Sequence, residues 1–121
     1  MTTRRDFGFD VAEFAEELAL AAANFRVGSR LLHEDARIRV WDIALAAGER
    51  LPFHRHRTTY FYRCHAGGPP RVRFPDGTGA VSGSVVDEGH VHEIGPDDVV
   101  IHDLENAGDS ALRFTTVELV G

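Results

Sequence analysis

The chain has 121 residues, a net charge of −6 and a pI near 5.6, which leaves room for one domain with one core and no second catalytic module. Phosphate-backbone binding rests on a clustered positive field, and a membrane-spanning helix needs roughly 20 apolar residues in a row; the acidic balance and the short apolar runs therefore argue against nucleic acid and membrane as partners. With 43% apolar and 26% charged residues the composition is that of an ordinary soluble domain, and a single cysteine, Cys64, rules out an internal disulfide and fits a reducing compartment.

The opening TTRRDF resembles the start of a twin-arginine export signal, but Asp10, Glu13, Glu16 and Glu17 stand where an apolar segment should follow, so a cytoplasmic protein is expected. The stretch DVAEFAEELALAAANFRVG predicts a helix over residues 10 to 27. Asp10 is its candidate N-cap, Glu13 completes a capping-box pattern, and Gly28 suits a C-terminal cap. Phe14, Leu18 and Phe25 recur at helical spacing, so one face is expected to pack on the rest of the domain or on a partner subunit. Its other face is acidic, which disfavours a membrane-surface role. Residues 1 to 35 read as this helix with its lead-in, and residues 36 to 121 as a β domain.

From residue 36 the sequence breaks into short β-rich segments: ARIRVWDIALA, TTYFYRCH, PRVRF, AVSGSVVD, GHVHEI, DVVIHDL and SALRFTTVELV. The turns between them (AAGE, AGGPP, PDGTG, NAGD) recur regularly, which predicts an all-β antiparallel sandwich or barrel. No βα alternation follows residue 30, so a parallel α/β sheet is disfavoured. The chain carries no G-x-S-x-G elbow, P-loop or G-x-G-x-x-G fingerprint. The acidic stretches VVDEG and GPDD read as turns, and Trp41 reads as core.

Seven histidines remain to be placed: His33, His54, His56, His65, His90, His92 and His102. Residues two apart on a strand point to the same side, so His54 and His56 project together while Arg55 and Arg57 face the other way. A borderline divalent cation accepts neutral imidazole, and a His-x-His pair on a rigid strand offers two ligands at a fixed bite. Surface His-Arg clusters without metal are the competing reading. His90 and His92 form a second such pair; His92 is a candidate fourth ligand, hydrogen-bond donor or general base, against an exposed pair on an acidic strand. His33 and His65 read as solvated. Cys64 and Tyr62 continue the even phase of His54, His56 and Tyr60, which makes Cys64 an inert inward thiol and Tyr62 a pocket wall. Arg63, Arg71 and Arg73 could anchor a carboxylate, but a solvated strand face explains them more simply.

Gly48, His54, His56, position 60 and Gly67 stand at the spacing of the first cupin motif, G(x)5HxH(x)3E(x)6G, matched at each fixed position except that Tyr60 replaces the glutamate. His102 and Asn106 in HDLEN supply the H(x)3N of the second motif, whose P-x-G part is degenerate. Over about residues 37 to 120 the chain thus resembles a small single-domain cupin of the conserved-barrel type. The resemblance implies a double-stranded β-helix, or jelly roll, with one N-terminal α-helix outside it. It implies His54, His56 and His102 as ligands of a divalent metal, iron first and otherwise zinc, nickel or manganese. Tyr60 could ligate as a phenolate, hydrogen-bond to metal-bound water or fill space, and a neutral ring is the simplest of the three. Tyr60 and His92 are the candidate proton-handling groups. The implied function is a metal-dependent dioxygenase or isomerase acting on a small organic acid or enol-like substrate, with dioxygenase-type chemistry at a three-histidine site in first place. The alternative is a metal-poor small-molecule binding or regulatory barrel. A homodimer is expected, because a sheet edge needs covering.

Overall fold

The computed structural model describes residues 6–81 and 84–121. Among the described residues ten strands form two five-stranded sheets, with every pairing antiparallel. One sheet has the order β1 (Phe7–Gly8), β7 (Thr78–Val81), β6 (Pro70–Arg73), β9 (Val100–Asn106), β4 (Arg50–His56). The other has the order β2 (Arg30–Glu34), β3 (Ile38–Leu45), β10 (Leu112–Leu119), β5 (Tyr60–Ala66), β8 (Gly89–His92). From β3 onward the chain crosses between the sheets at every connection except the β6–β7 hairpin, the winding expected of a jelly roll. That hairpin closes at PDGTG, where Gly77 takes a positive φ of 87° that a side chain would strain.

The sheets pack face to face over one apolar core. Ile43, Leu45, Cys64, Leu112 and Phe114 come from the β3–β10–β5 layer, and Leu51 and Leu104 from β4 and β9 opposite. Cys64 is buried there, and burial raises its thiol pKa, so it is the inert core thiol anticipated. Trp41 is also buried, and its indole Nε1 donates to Glu118 Oε1 at 2.6 Å. Asn106, fully buried, is a strap: its Nδ2 donates to the Leu45 and Ser110 carbonyls, and its Oδ1 accepts from Gly108 N.

The N-terminal segment departs from expectation. Asp10 caps a 3-10 turn over Val11–Phe14 by accepting from Ala12 N, and α1 covers only Ala15–Ala21. Asn24 explains the early stop: its side chain accepts from Arg26 N and donates to the Phe53 carbonyl, while its own carbonyl accepts from Arg55 N. Such side-chain bonds compete with helix continuation. Gly28 is therefore no helix cap. It lets the chain pass Trp41, whose Cβ would lie 2.6 Å from a Cβ at position 28. Strands also begin before residue 36, since β1 and β2 pair with β7 and β3. Of the predicted strand AVSGSVVD, β7 takes only the start, and residues 82 and 83 lie outside the described residues.

The helix lies over the outer face of the β4 sheet, where Phe9, Phe14 and Phe53 cluster with centroids 5.7 to 6.2 Å apart, Phe14 edge-on to the other two. Beneath them runs a chain of ion pairs. Glu17 accepts from both terminal nitrogens of Arg50 and from Phe53 N, and Arg50 reaches Asp103. Asp103, with no exposed surface, also accepts from Arg73 N and Arg73 Nε. Arg73 is thus a buried partner of Asp103, not part of a solvated face. Arg71 pairs with Glu105, and Arg63 with Asp87 at the surface.

Candidate metal centre

A β-bulge decides which residues of β4 face inward. Leu51 pairs with Leu104 and His54 with His102, so three steps on β4 match two on β9. The extra residue falls at Pro52–Phe53, where proline has no N–H to give to the ladder. The bulge shifts the inward phase from Leu51 in the core to His54 and His56, and turns Phe53 outward under the helix. It also frees the Pro52 carbonyl, which accepts from His54 Nδ1 at 2.8 Å.

The register then sets His102 directly across from His54, and one ligand nitrogen from each of His54, His56 and His102 lies within 4.8 Å of the others. His102 Nδ1 donates to the Asp103 carbonyl at 2.7 Å. Both Nδ1 protons are thereby held by backbone, which leaves Nε2 of His54 and of His102 as acceptor lone pairs, that of His54 facing His56 Nε2. His54 Nε2 and His56 Nε2 are 3.2 Å apart. Two nitrogens bound to one ion at about 2.0 to 2.1 Å each sit roughly 3 to 3.4 Å apart, so this pair has the separation of a bidentate site. His56 Nδ1 is buried without a hydrogen-bond partner.

The electrostatics favour the ligand form. Burial, followed by repulsion from His102, holds the His54 pKa down to about 3. Burial and the neighbouring histidines drive His56 well below its ordinary value, and burial lowers His102. All three are neutral at pH 7. No carboxylate belongs to the cluster among the described residues, so a bound cation would keep its full charge.

Tyr60 lies face to face on His56, ring centroids 4.2 Å apart and 16° from parallel. Burial first, then Tyr62 and Glu118, raise its phenol pKa, so the ring is neutral. His92 stacks on the other side of Tyr60 at 4.9 Å and on Tyr62 at 5.5 Å; burial lowers its pKa. Tyr60, Tyr62 and His92 line one cavity of about 390 Å³ with the three clustered histidines. Tyr62 is thus a wall of the cavity, and His92, for which the sequence left an exposed pair as the competing reading, lines it too. His90 lies beside Tyr62 without lining the cavity, and His33 and His65 are exposed, bonded to Asp35 and Thr115. Arg63, Arg71 and Arg73 do not line it. The lining that sequence reasoning missed is the opposite wall, including Val72, Phe74, Ala80 and Val100; the alternation of Val72 and Phe74 in PRVRF was the available signal.

No sequence-family profile matches the chain, and no curated protein matches it either. Solved structures do. A cupin domain from Bordetella pertussis Tohama I superposes with a TM-score of 0.66 at 20% identity, covering 74% of this chain and 88% of that one. A cupin superfamily protein from Desulfitobacterium hafniense gives 0.54 at 14% identity, covering 76% and 75%. A polyketide cyclase from Streptomyces resistomycificus gives 0.54 at 18% identity, covering 76% and 63%. At such identities the likeness is one of fold, and with two antiparallel sheets wound around a histidine-lined cavity the chain is a small cupin-fold domain.

Proposed function

We propose that this domain is a metal-dependent enzyme that binds a divalent cation on His54, His56 and His102 and acts on a small organic acid or enol-like substrate in the adjoining cavity. The observation that carries the reading is the convergence of three neutral imidazoles, two of them with Nδ1 tied to backbone carbonyls and Nε2 left as a lone pair. A bound ion, iron first and otherwise zinc, nickel or manganese, would supply Lewis-acid polarisation of a substrate oxygen and the basis for dioxygenase-type chemistry. The chain's own groups do the rest. The bulge carbonyl of Pro52 and the carbonyl of Asp103 orient two rings, the apolar walls exclude water, and His92, half-buried and neutral, accepts a proton from substrate. Tyr60, protonated, holds His56 in place by stacking and offers a hydroxyl proton to a developing anion.

One observation favours the second reading, a metal-poor binding barrel: position 60 carries a neutral ring where an anionic ligand would add charge attraction. Elemental mass spectrometry on protein purified without a histidine tag or chelator separates the two. Near-stoichiometric metal that disappears in the His54→Ala, His56→Ala double variant is the expected result. Little metal, with neither iron nor zinc restoring occupancy, would leave only the binding barrel.

A further inference from the structure

The cavity has one polar end and an otherwise uncharged body. Among the described residues that line it there is no Asp, Glu, Lys or Arg. Away from the histidine cluster the walls are Val72, Phe74, Ala80 and Val100 on one sheet against Tyr62 and Phe114 on the other. The hydroxyls present, those of Ser84, Thr116 and the two tyrosines, are neutral and suit a neutral oxygen.

The arginines nearest these walls in sequence are committed elsewhere. Arg71 pairs with Glu105, Arg73 with Asp103, Arg63 with Asp87 and Arg113 with Asp42. A carboxylate placed among the walls would lose its hydration and find no guanidinium to replace it. At about 390 Å³ the space is near the lower end of the roughly 300 to 1,000 Å³ typical of ligand pockets, and aromatic walls accept a flat ring well.

We propose that the ligand of this cavity is a flat, largely apolar molecule, phenolic or enolic, whose one oxygen head faces His54, His56 and His102 and whose body carries no second charged group. This rests on the metal-site reading and narrows it: the enol-like substrate is retained, and di- and tricarboxylic acids are excluded.

A matched pair of probes tests it. 2-Naphthol and 6-hydroxy-2-naphthoate share ring and head, and differ by a carboxylate at the far end; malonate supplies a small dianion. Calorimetric titration is run on chelator-stripped and on zinc-loaded protein, with zinc content measured on the same samples. In both forms 2-naphthol is expected to bind at least about tenfold more tightly than 6-hydroxy-2-naphthoate or malonate. Val81→Asp, at a 44% exposed position on the lining where folding tolerates a charge, is expected to weaken 2-naphthol about fivefold with zinc content unchanged. Equal or tighter binding of either carboxylate probe, no binding of 2-naphthol, or indifference to Val81→Asp overturns the ligand class. Absence of zinc with the 2-naphthol preference intact overturns the metal reading alone, so the two failures are distinguishable.

Discussion

At position 60 a tyrosine stands where the resembling motif has glutamate, and the structure gives that substitution a physical content. The ring covers His56 face to face and is itself covered by His92, so it forms part of a stack of parallel rings leading from the clustered histidines. The phenol is held neutral by burial. Tyr60→Phe keeps the stack and is expected to leave zinc affinity unchanged, measured by competition with a chromogenic chelator; a drop of tenfold or more would show that the hydroxyl ligates. Tyr60→Glu is expected to tighten zinc by at least about tenfold, since a carboxylate adds an attraction of a kcal/mol or more, and to lower the melting temperature of the metal-free form by burying an unpaired charge. At this scale the sequence was informative. The positions of His54, His56 and His102 follow from motif spacing, but the stacking of Tyr60 does not, because spacing carries no side-chain orientation.

Among the elements, the N-terminal helix and strand β4 show what local patterns conceal. Helical periodicity over residues 10 to 27 was real as far as Ala21, and the strand pattern from residue 38 on was legible from alternation and turns. Three features were not: the helix stop at Asn24, set by bonds to Phe53 and Arg55 some 30 residues away; the bulge at Pro52, which inverts the inward phase; and the burial of Arg73. Each depends on partners distant in sequence. The ion-pair chain yields an element-scale prediction. Asp103 has no exposed surface and joins β9 to Arg73 on β6 and to Arg50 on β4, which in turn holds Glu17 of the helix. Asp103→Asn leaves two guanidinium groups short of their shared carboxylate, and breaking a buried pair in this way costs about 3 to 5 kcal/mol. Urea denaturation is expected to show that loss, while Glu17→Gln, nearer the surface, is expected to cost about 1 kcal/mol. Equal effects of the two variants would mean that Asp103 is not the hub of the network.

For the whole molecule, concentrating three imidazoles in a buried cluster makes folding stability depend on pH in the absence of metal. The His54 pKa is about 3 in the folded chain and 6.5 when exposed, with burial as the main cause. Above pH 6.5 both states carry the neutral ring, and full stability is present. As pH falls from 6.5 toward 3 the unfolded chain binds a proton that the folded chain refuses, so stability is lost across that window at up to about 1.4 kcal/mol per pH unit for each such histidine. At pH 5, His54 alone then costs about 2 kcal/mol, and His56, lowered by the same causes, acts in the same direction. A domain of this size has on the order of 5 to 15 kcal/mol in total, so the metal-free form is expected to approach unfolding between about pH 4 and 5. Glu17, whose pKa is lowered by Arg50, adds to the loss only below its ordinary value of 4.5. Urea titrations of chelator-treated protein at pH 7.5 and 5.0 check this: a fall of at least about 2 kcal/mol is expected for the wild type, and a clearly smaller one for the His54→Gln, His56→Gln variant. Zinc held at 100 times its dissociation constant is expected to add about 2.7 kcal/mol at pH 7.5 to the wild type and nothing to the variant. A wild-type stability that stays flat between the two pH values would mean that the cluster is hydrated and open in solution, and that its histidines are not held neutral in the ligand form.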